Sequence, residues 1–387
     1  MVLDMETETY LERCRELAGA LGDQAAEGER ERRVPDGAMA AVEEADVLRA
    51  IVPTSLGGHG LDLGTLCEGT REMAKGCPAS AWTISFLQLH AWMLARFPVA
   101  SHADLFGAGR TPTAAAPLAP TGTLAVVDGG FEVTGRWEWA TAVNHSDWCM
   151  VHGFDESVEL GTRFAVVPVA DLVVEDVWHT SGMRATGSNT VVADRVFVPM
   201  ERTVPGDDLR GTAAGVDGDA LDGLPLLSVL ALVASAPAVG AAEAAVDLYR
   251  QRVSERVLAY TLGDRAADQP MAQARLAAIT SDLATTLAGW RAIIAELQTA
   301  AATGPPDEQL RVRVRLAAAA AVRSSRHIVG DIGEGAGASV YASSHPLQRL
   351  QRDVETLKGH VIFDWDRTTE LAGRVLLGRP LGPVDMA

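Results

Sequence analysis

The chain has 387 residues, which at roughly 100–200 residues per domain allows two or three domains. Hydrophobic residues are 48% and charged residues 22% of the total, enough apolar material for a sizeable core and too little charge for a disordered or coiled-coil chain. The net charge of -18 and the lack of any clustered lysine and arginine run exclude a nucleic-acid surface; the acidity serves solubility.

Residues 1–108 read as an N-terminal helical domain. The opening MVLDMETETYLERCREL is acidic and amphipathic, the opposite of a signal peptide. The four cysteines, Cys14, Cys67, Cys77 and Cys149, form no C-x-x-C pair and no zinc-ligand cluster, so a reduced, cytoplasmic chain without structural metal is expected. A second helix restarts after Pro35, a first-turn proline. PTSLGGHGLDLG (53–64) is a glycine-rich turn; it follows no strand of a βαβ unit and is not a nucleotide loop. TLCEGTREMAKG and PASAWTISFLQLHAWMLARF then read as two more helices, the latter placing Trp82, Phe86, His90 and Leu94 on one face. A histidine on such an apolar face is more often a satisfied core residue than a ligand.

Residues 109–202 change to alternating strands, with VVDGGFEV as a hairpin and WCMVHGF, RFAVVPV and NTVVADRVFVP as further strands. A compact β-barrel is expected here. RWEWATAVNHSDW (136–148) holds three of the chain's 8 tryptophans; the plain reading is an ordinary strand with tryptophan in the core and Thr141 at the surface. A Gly/Asp-rich loop leads into residues 203–387, a helix bundle. Its first segment, LPLLSVLALVASAPAVGAAEAAV from Leu224, has the length of a membrane span, but Pro225, Pro237, Glu243 and its alanine content favour a buried helix and no membrane contact. Breaks near Gly263, at TGPPDE and at SSHP imply about four long helices. The fold class is α+β: N-terminal helices, central β-barrel, C-terminal four-helix bundle.

This order of blocks, over nearly the whole chain, resembles the acyl-CoA dehydrogenase superfamily. VPTSLGGHGLDL is similar to that family's early VP-x-x-x-GG-x-G turn, GRWEWATAVNHSDW to its G-x-K-x-W-I-T-N-G-x-x-A-D stretch, and SGMRATGSNTVVADRVFVP to a later G-x-R-x-S motif. The family's Glu before Gly-Thr has no counterpart; Glu355 and Glu370 are the only late candidates for a dehydrogenase base. DIGEGAGAS stands where Q-x-x-GG-x-G belongs, and the arginine contact to the cofactor pyrophosphate survives at best as Arg256. The tail, with Pro346, Gln348, Arg349, Arg352, Asp353 and His360, looks instead like the flavin-dependent monooxygenase branch, the oxygenase components of two-component aromatic hydroxylases.

That resemblance implies an enzyme using reduced FAD or FMN and O2 to hydroxylate a small electron-rich aromatic, phenol- or indole-like, through a C4a-hydroperoxyflavin. No Rossmann G-x-G-x-x-G follows a predicted strand, so a separate flavin reductase has to supply the reduced flavin. Trp139 and Thr141 fall on the flavin-contacting positions: Trp139 as a wall on the ring, Thr141 as acceptor for the flavin N5–H. Arg184 and Ser188 match positions at the cofactor, although a β-turn bent by Gly182 and Gly187 is the plainer reading. His360 matches a proton-handling histidine, one helical turn before Asp364, which would orient it. His90 matches the branch's substrate-side histidine. The superfamily also implies a homotetramer built on the bundle helices. An acyl-CoA dehydrogenase, an amine N-hydroxylase and a non-catalytic flavin-binding relative remain open alternatives at this stage.

Overall fold

The computed structural model describes residues 5–107, 110–211, 216–382 and 385. The first block folds into α1 (Met5–Asp23), α2 (Ala25–Glu31), α3 (Asp36–Glu44), α4 (Leu63–Ala74), α5 (Pro78–Ala95) and α6 (His102–Phe106). Local chemistry sets the starts. The Asp62 carboxylate accepts from Thr65 N at 2.7 Å and caps α4, and Pro78 occupies the first turn of α5, where no intrahelical N–H is needed. α5 is buried around its whole circumference; Phe86 is its one half-buried residue. A helix apolar on every side packs centrally, and α5 meets α4, the long helix α8 (Leu226–Glu255) and the strand block.

The middle block is one mixed sheet of β1 (Ala114–Ala115), β2 (Gly122–Val127), β3 (Gly130–Ala140), β4 (Trp148–Asp155), β5 (Thr162–Pro168), β6 (Val173–Glu175), β7 (Asn189–Pro199) and β8 (Thr203–Pro205). Its strand order is β6-β7-β3-β2-β4-β5-β8, with β1 beside β4. The Asp128–Gly129 hairpin forms as expected, Gly129 taking φ 79° between the paired Val127 and Gly130. The expected barrel does not form. Closure requires the end strands to share hydrogen bonds, but three-residue β6 bonds only to β7 and three-residue β8 only to β5, so the sheet stays open. Its inner face buries Leu124, Phe131, Val133, Trp137, Val151 and Val191.

After α7 (Gly206–Arg210) and α8 come α9 (Pro270–Ala301), α10 (Glu308–Ala336), α11 (Pro346–Leu357) and α12 (Trp365–Leu376). The expected four long helices are thus three long and two short ones. The fourth segment breaks because His360 caps a 3-10 turn at Val361–Phe363 and Asp364 then caps α12. α8 is long and apolar enough to cross a membrane, yet 94% of its most apolar window is buried inside the protein. It lies across α4 at close range: a Cβ on Gly240 would stand 2.3 Å from the Arg71 carbonyl, so only glycine permits the approach. Arg71 then bonds Glu68, Glu72 and Glu243, and Lys75 reaches Glu243 at 2.7 Å, pairing every charge that this packing buries.

Candidate active site

The end of β3 breaks the alternation of a regular strand. The β3–β7 register slips between Trp137 and Ala140, and Trp139 takes φ 60°, in the left-handed region that costs a residue with a Cβ about 1–2 kcal/mol. The bulge separates the neighbouring tryptophans: Trp137 is buried and donates its indole N–H to the His152 carbonyl at 2.6 Å, whereas Trp139 is 65% exposed. Thr141, two residues on, is buried rather than at the surface. Strain of this kind collects at functional sites, where a rigid surround holds it in place.

Behind Thr141 runs a chain of hydroxyls. Thr141 Oγ1 is 2.8 Å from Ser188 Oγ, which is 2.8 Å from Thr186 Oγ1, and Thr186 Oγ1 donates to the Met183 carbonyl at 3.0 Å. All three side chains are buried. The loop carrying Ser188 is fixed to the helices. Asp353 on α11 accepts from Met183 N at 2.6 Å, and Gly182 lies so close to α11 that a Cβ would stand 2.0 Å from the Arg352 carbonyl. Arg184 donates through Nε to the Glu29 carbonyl of α2 at 2.8 Å and through Nη1 to the Thr180 carbonyl at 3.3 Å, holding the loop against the first block. The turn Arg184–Thr186 packs on α5.

On α5 the face of Trp82, Phe86 and His90 forms an aromatic row. Trp82 and Phe86 stack at 4.6 Å between centroids, and the His90 ring stands edge-on to Phe86 at 5.5 Å. His360 adds to the row, edge-on to Trp82 at 5.5 Å. His90 Nδ1 donates to the Ala114 carbonyl of β1 at 2.7 Å, which leaves its Nε2 an acceptor. His360 has the opposite tautomer: its Nδ1 accepts from Ile362 N at 3.3 Å, so the proton sits on Nε2. Burial pushes both imidazoles down to about 4, helped at His360 by the Arg315 guanidinium, and both are neutral at pH 7. His360 is accessible to solvent, while Trp82 and Phe363 stand against its ring. Asp364 does not orient it as expected; its carboxylate accepts from Arg367 N at 3.1 Å as the cap of α12. The cause is the 3-10 turn, which replaces the continuous helix that would have set the two residues one turn apart.

Arg256 donates to the Gly335 and Ala336 carbonyls, at 3.4 and 3.1 Å, at the C-terminal end of α10. Glu355 pairs with Arg326 at 2.7 Å and Lys358 at 2.6 Å, and Glu370 with Arg374 at 2.7 Å, so neither late carboxylate is a free base. Thr186 is the residue that sequence reasoning missed. Within RATGSN it carries no signal of its own, because its role depends on where the loop brings its hydroxyl. The chemistry of this donor set fits a reduced flavin: an exposed indole, a buried neutral hydroxyl and two neutral imidazoles, with no carboxylate bonded to any of them. Trp139 and Thr141 would hold the ring, and the row from His360 to His90 would line the space for an aromatic.

The chain is similar to known proteins over nearly its whole length. Residues 5–101 match the family model of the acyl-CoA dehydrogenase N-terminal domain, and residues 232–365 that of the C-terminal domain. The flavin-dependent monooxygenase oxygenase subunit HsaA of Rhodococcus jostii is 30% identical over 96% of this chain and 99% of its own. The oxygenase component of p-hydroxyphenylacetate 3-hydroxylase from Acinetobacter baumannii is 26% identical over 98% of this chain and 92% of its own. The structure of XiaF from Streptomyces, in complex with FADH2 and glycerol, superposes with a TM-score of 0.91 at 28% identity and covers 99% of both chains. The chain belongs to the flavin-dependent monooxygenases built on the acyl-CoA dehydrogenase fold, as an oxygenase component.

Proposed function

We propose that this protein hydroxylates a small phenol- or indole-like ring, using reduced FAD or FMN delivered by a separate reductase. The observation that carries the reading is the junction of an exposed, strained Trp139 and a buried Thr141 with the turn that packs on α5, the helix bearing the aromatic row. Reduced flavin supplies, when bound, the electrons that activate O2. The chain supplies the rest. Trp139 covers the ring and excludes water. Thr141 accepts a hydrogen bond from N5–H and holds that proton in place. His90, through its Nε2 lone pair, takes a hydrogen bond from the substrate O–H or N–H, and His360, through Nε2–H, donates toward the developing oxygen. Arg184 and Arg256 serve in this reading by fixing the loop and the end of α10 at the cofactor's edge.

The substrate class draws support from relatives named for hydroxyphenylacetate, resorcinol and indole-3-acetate. The assembly we propose is a homotetramer. On α9, Ala277, Ser281, Ala284, Ala288, Ala292 and Ala295 form an exposed small-residue stripe at helical spacing, suited to close packing against a second copy. The deciding experiment combines the protein with a flavin reductase, NADH, FAD or FMN and a panel of phenols and indoles. Oxygen uptake matched by hydroxylated product is expected; hydrogen peroxide as the sole product with every aromatic refutes the reading.

A further inference from the structure

The hydroxyl chain at Thr141 has a direction. Each hydroxyl carries one proton, while a carbonyl oxygen carries none. Thr186 Oγ1 lies 3.0 Å from the Met183 carbonyl, in a buried setting. Without a proton between them, two oxygens at that separation repel, so the Thr186 proton points at Met183. Thr186 therefore has only lone pairs to offer Ser188, 2.8 Å away, and Ser188 donates to it. Ser188 in turn has only lone pairs to offer Thr141, 2.8 Å away, and Thr141 donates its single proton inward. What Thr141 presents on its other side is a lone pair alone. The anchor is itself fixed: the Met183 carbonyl also accepts from Trp178 Nε1 at 3.0 Å, and Met183 N donates to Asp353 at 2.6 Å.

We propose that Ser188 and Thr186 are positioning residues that make Thr141 an obligate acceptor, and that this relay sets the pocket's preference for reduced over oxidised flavin. The inference rests on the flavin site proposed above. Reduced flavin has a proton on N5 and matches a lone pair; oxidised flavin has a lone pair on N5 and is repelled by one. Discrimination of this kind is negative as well as positive, since the wrong redox state meets two facing acceptors.

The test is equilibrium binding, not turnover. Affinities for oxidised and for anaerobically reduced FMN and FAD are measured on the intact protein and on Ser188→Ala, Thr186→Val and Thr186→Ser. Thr186→Val is isosteric and leaves the Met183 carbonyl with the Trp178 donor, so the change is confined to the relay. In both Ser188→Ala and Thr186→Val the Thr141 proton is free to turn outward; the ratio of oxidised to reduced dissociation constants then falls about tenfold, the effect of about one hydrogen bond. Thr186→Ser, which keeps the hydroxyl, retains the parent ratio. If the ratio stays within about twofold in both hydroxyl-deleting variants while the parent still prefers reduced flavin, the relay is refuted and the flavin site stands. If the parent protein binds neither form, the flavin site falls and the relay with it.

Discussion

Asp353 on α11 accepts a 2.6 Å hydrogen bond from the backbone N–H of Met183, 170 positions earlier in the chain, and both partners are buried. This one contact joins the C-terminal block to the loop that supports Thr141. Burial pushes the Asp353 carboxyl up to about 7, against the lowering effect of the Met183 N–H and of Arg349 and Arg352. Its folded value exceeds the unfolded one of about 3.9, so its contribution to stability is full at low pH and is lost as pH rises through about 7. Asp353→Asn retains an acceptor for Met183 and cannot ionise. We expect its thermal midpoint to match the parent's below about pH 4 and to exceed it at pH 8, the gap opening between about pH 4 and 7. Asp353→Ala, which strands a buried N–H, should be about 1–3 kcal/mol less stable than Asp353→Asn at both. Equal midpoints for Asn and parent across the range contradict this.

Trp139 combines 65% exposure with φ 60°. Little packing is lost by removing it, and glycine adopts that backbone without penalty. Trp139→Gly should therefore hold or raise the melting temperature while weakening reduced-flavin affinity about tenfold or more. A variant that loses stability and affinity together would show that the side chain packs rather than waits for a ligand.

Thr141→Val keeps the shape of the buried residue and removes its lone pair. The expected result is hydrogen peroxide in place of product: severalfold lower yield of hydroxylated aromatic per reduced flavin, with oxygen consumption retained. Measuring product and peroxide in the same reaction decides it, since unchanged coupling leaves Thr141 without a role at N5.

His90, His145, His152 and His360 are all held down to about 4, in each case mainly by burial. Their unfolded value is about 6.5, so the unfolded chain binds more protons between these limits, and stability is full above about pH 6.5 and declines toward pH 4. Replacing His90 by Gln should make the decline of the unfolding midpoint over that range shallower. For the same reason His90 does not titrate between about pH 6 and 8, and substrate binding should show no inflection from it there.

Much of the scaffold follows from short-range chemistry. The Asp-Gly pair between two apolar runs sets the β2–β3 hairpin, Asp62 and Pro78 set the starts of α4 and α5, and the continuous apolar run from Leu226 has to be buried. These signals lie within a few residues of what they specify, so they can be read in sequence order. The same holds for the chemical inventory: motifs resembling a known family single out Trp139, Thr141, Ser188, His90 and His360 in the sequence itself.

The tertiary structure alone decided where those residues stand. The register slip at Trp137/Ala140 turned Trp139 outward and Thr141 inward, because β7 pairs with β3 from 50 or so positions away and its register is no property of RWEWAT. The sheet stayed open because closure depends on two end strands far apart in sequence. Thr186 gained its place in the hydroxyl chain, and His360 its tautomer, from a loop pinned by Asp353 and a 3-10 turn where helical periodicity predicted a helix. Residue type is local, but the direction of a hydrogen bond depends on which partners the fold brings within 3 Å, and that is settled only when distant segments pack.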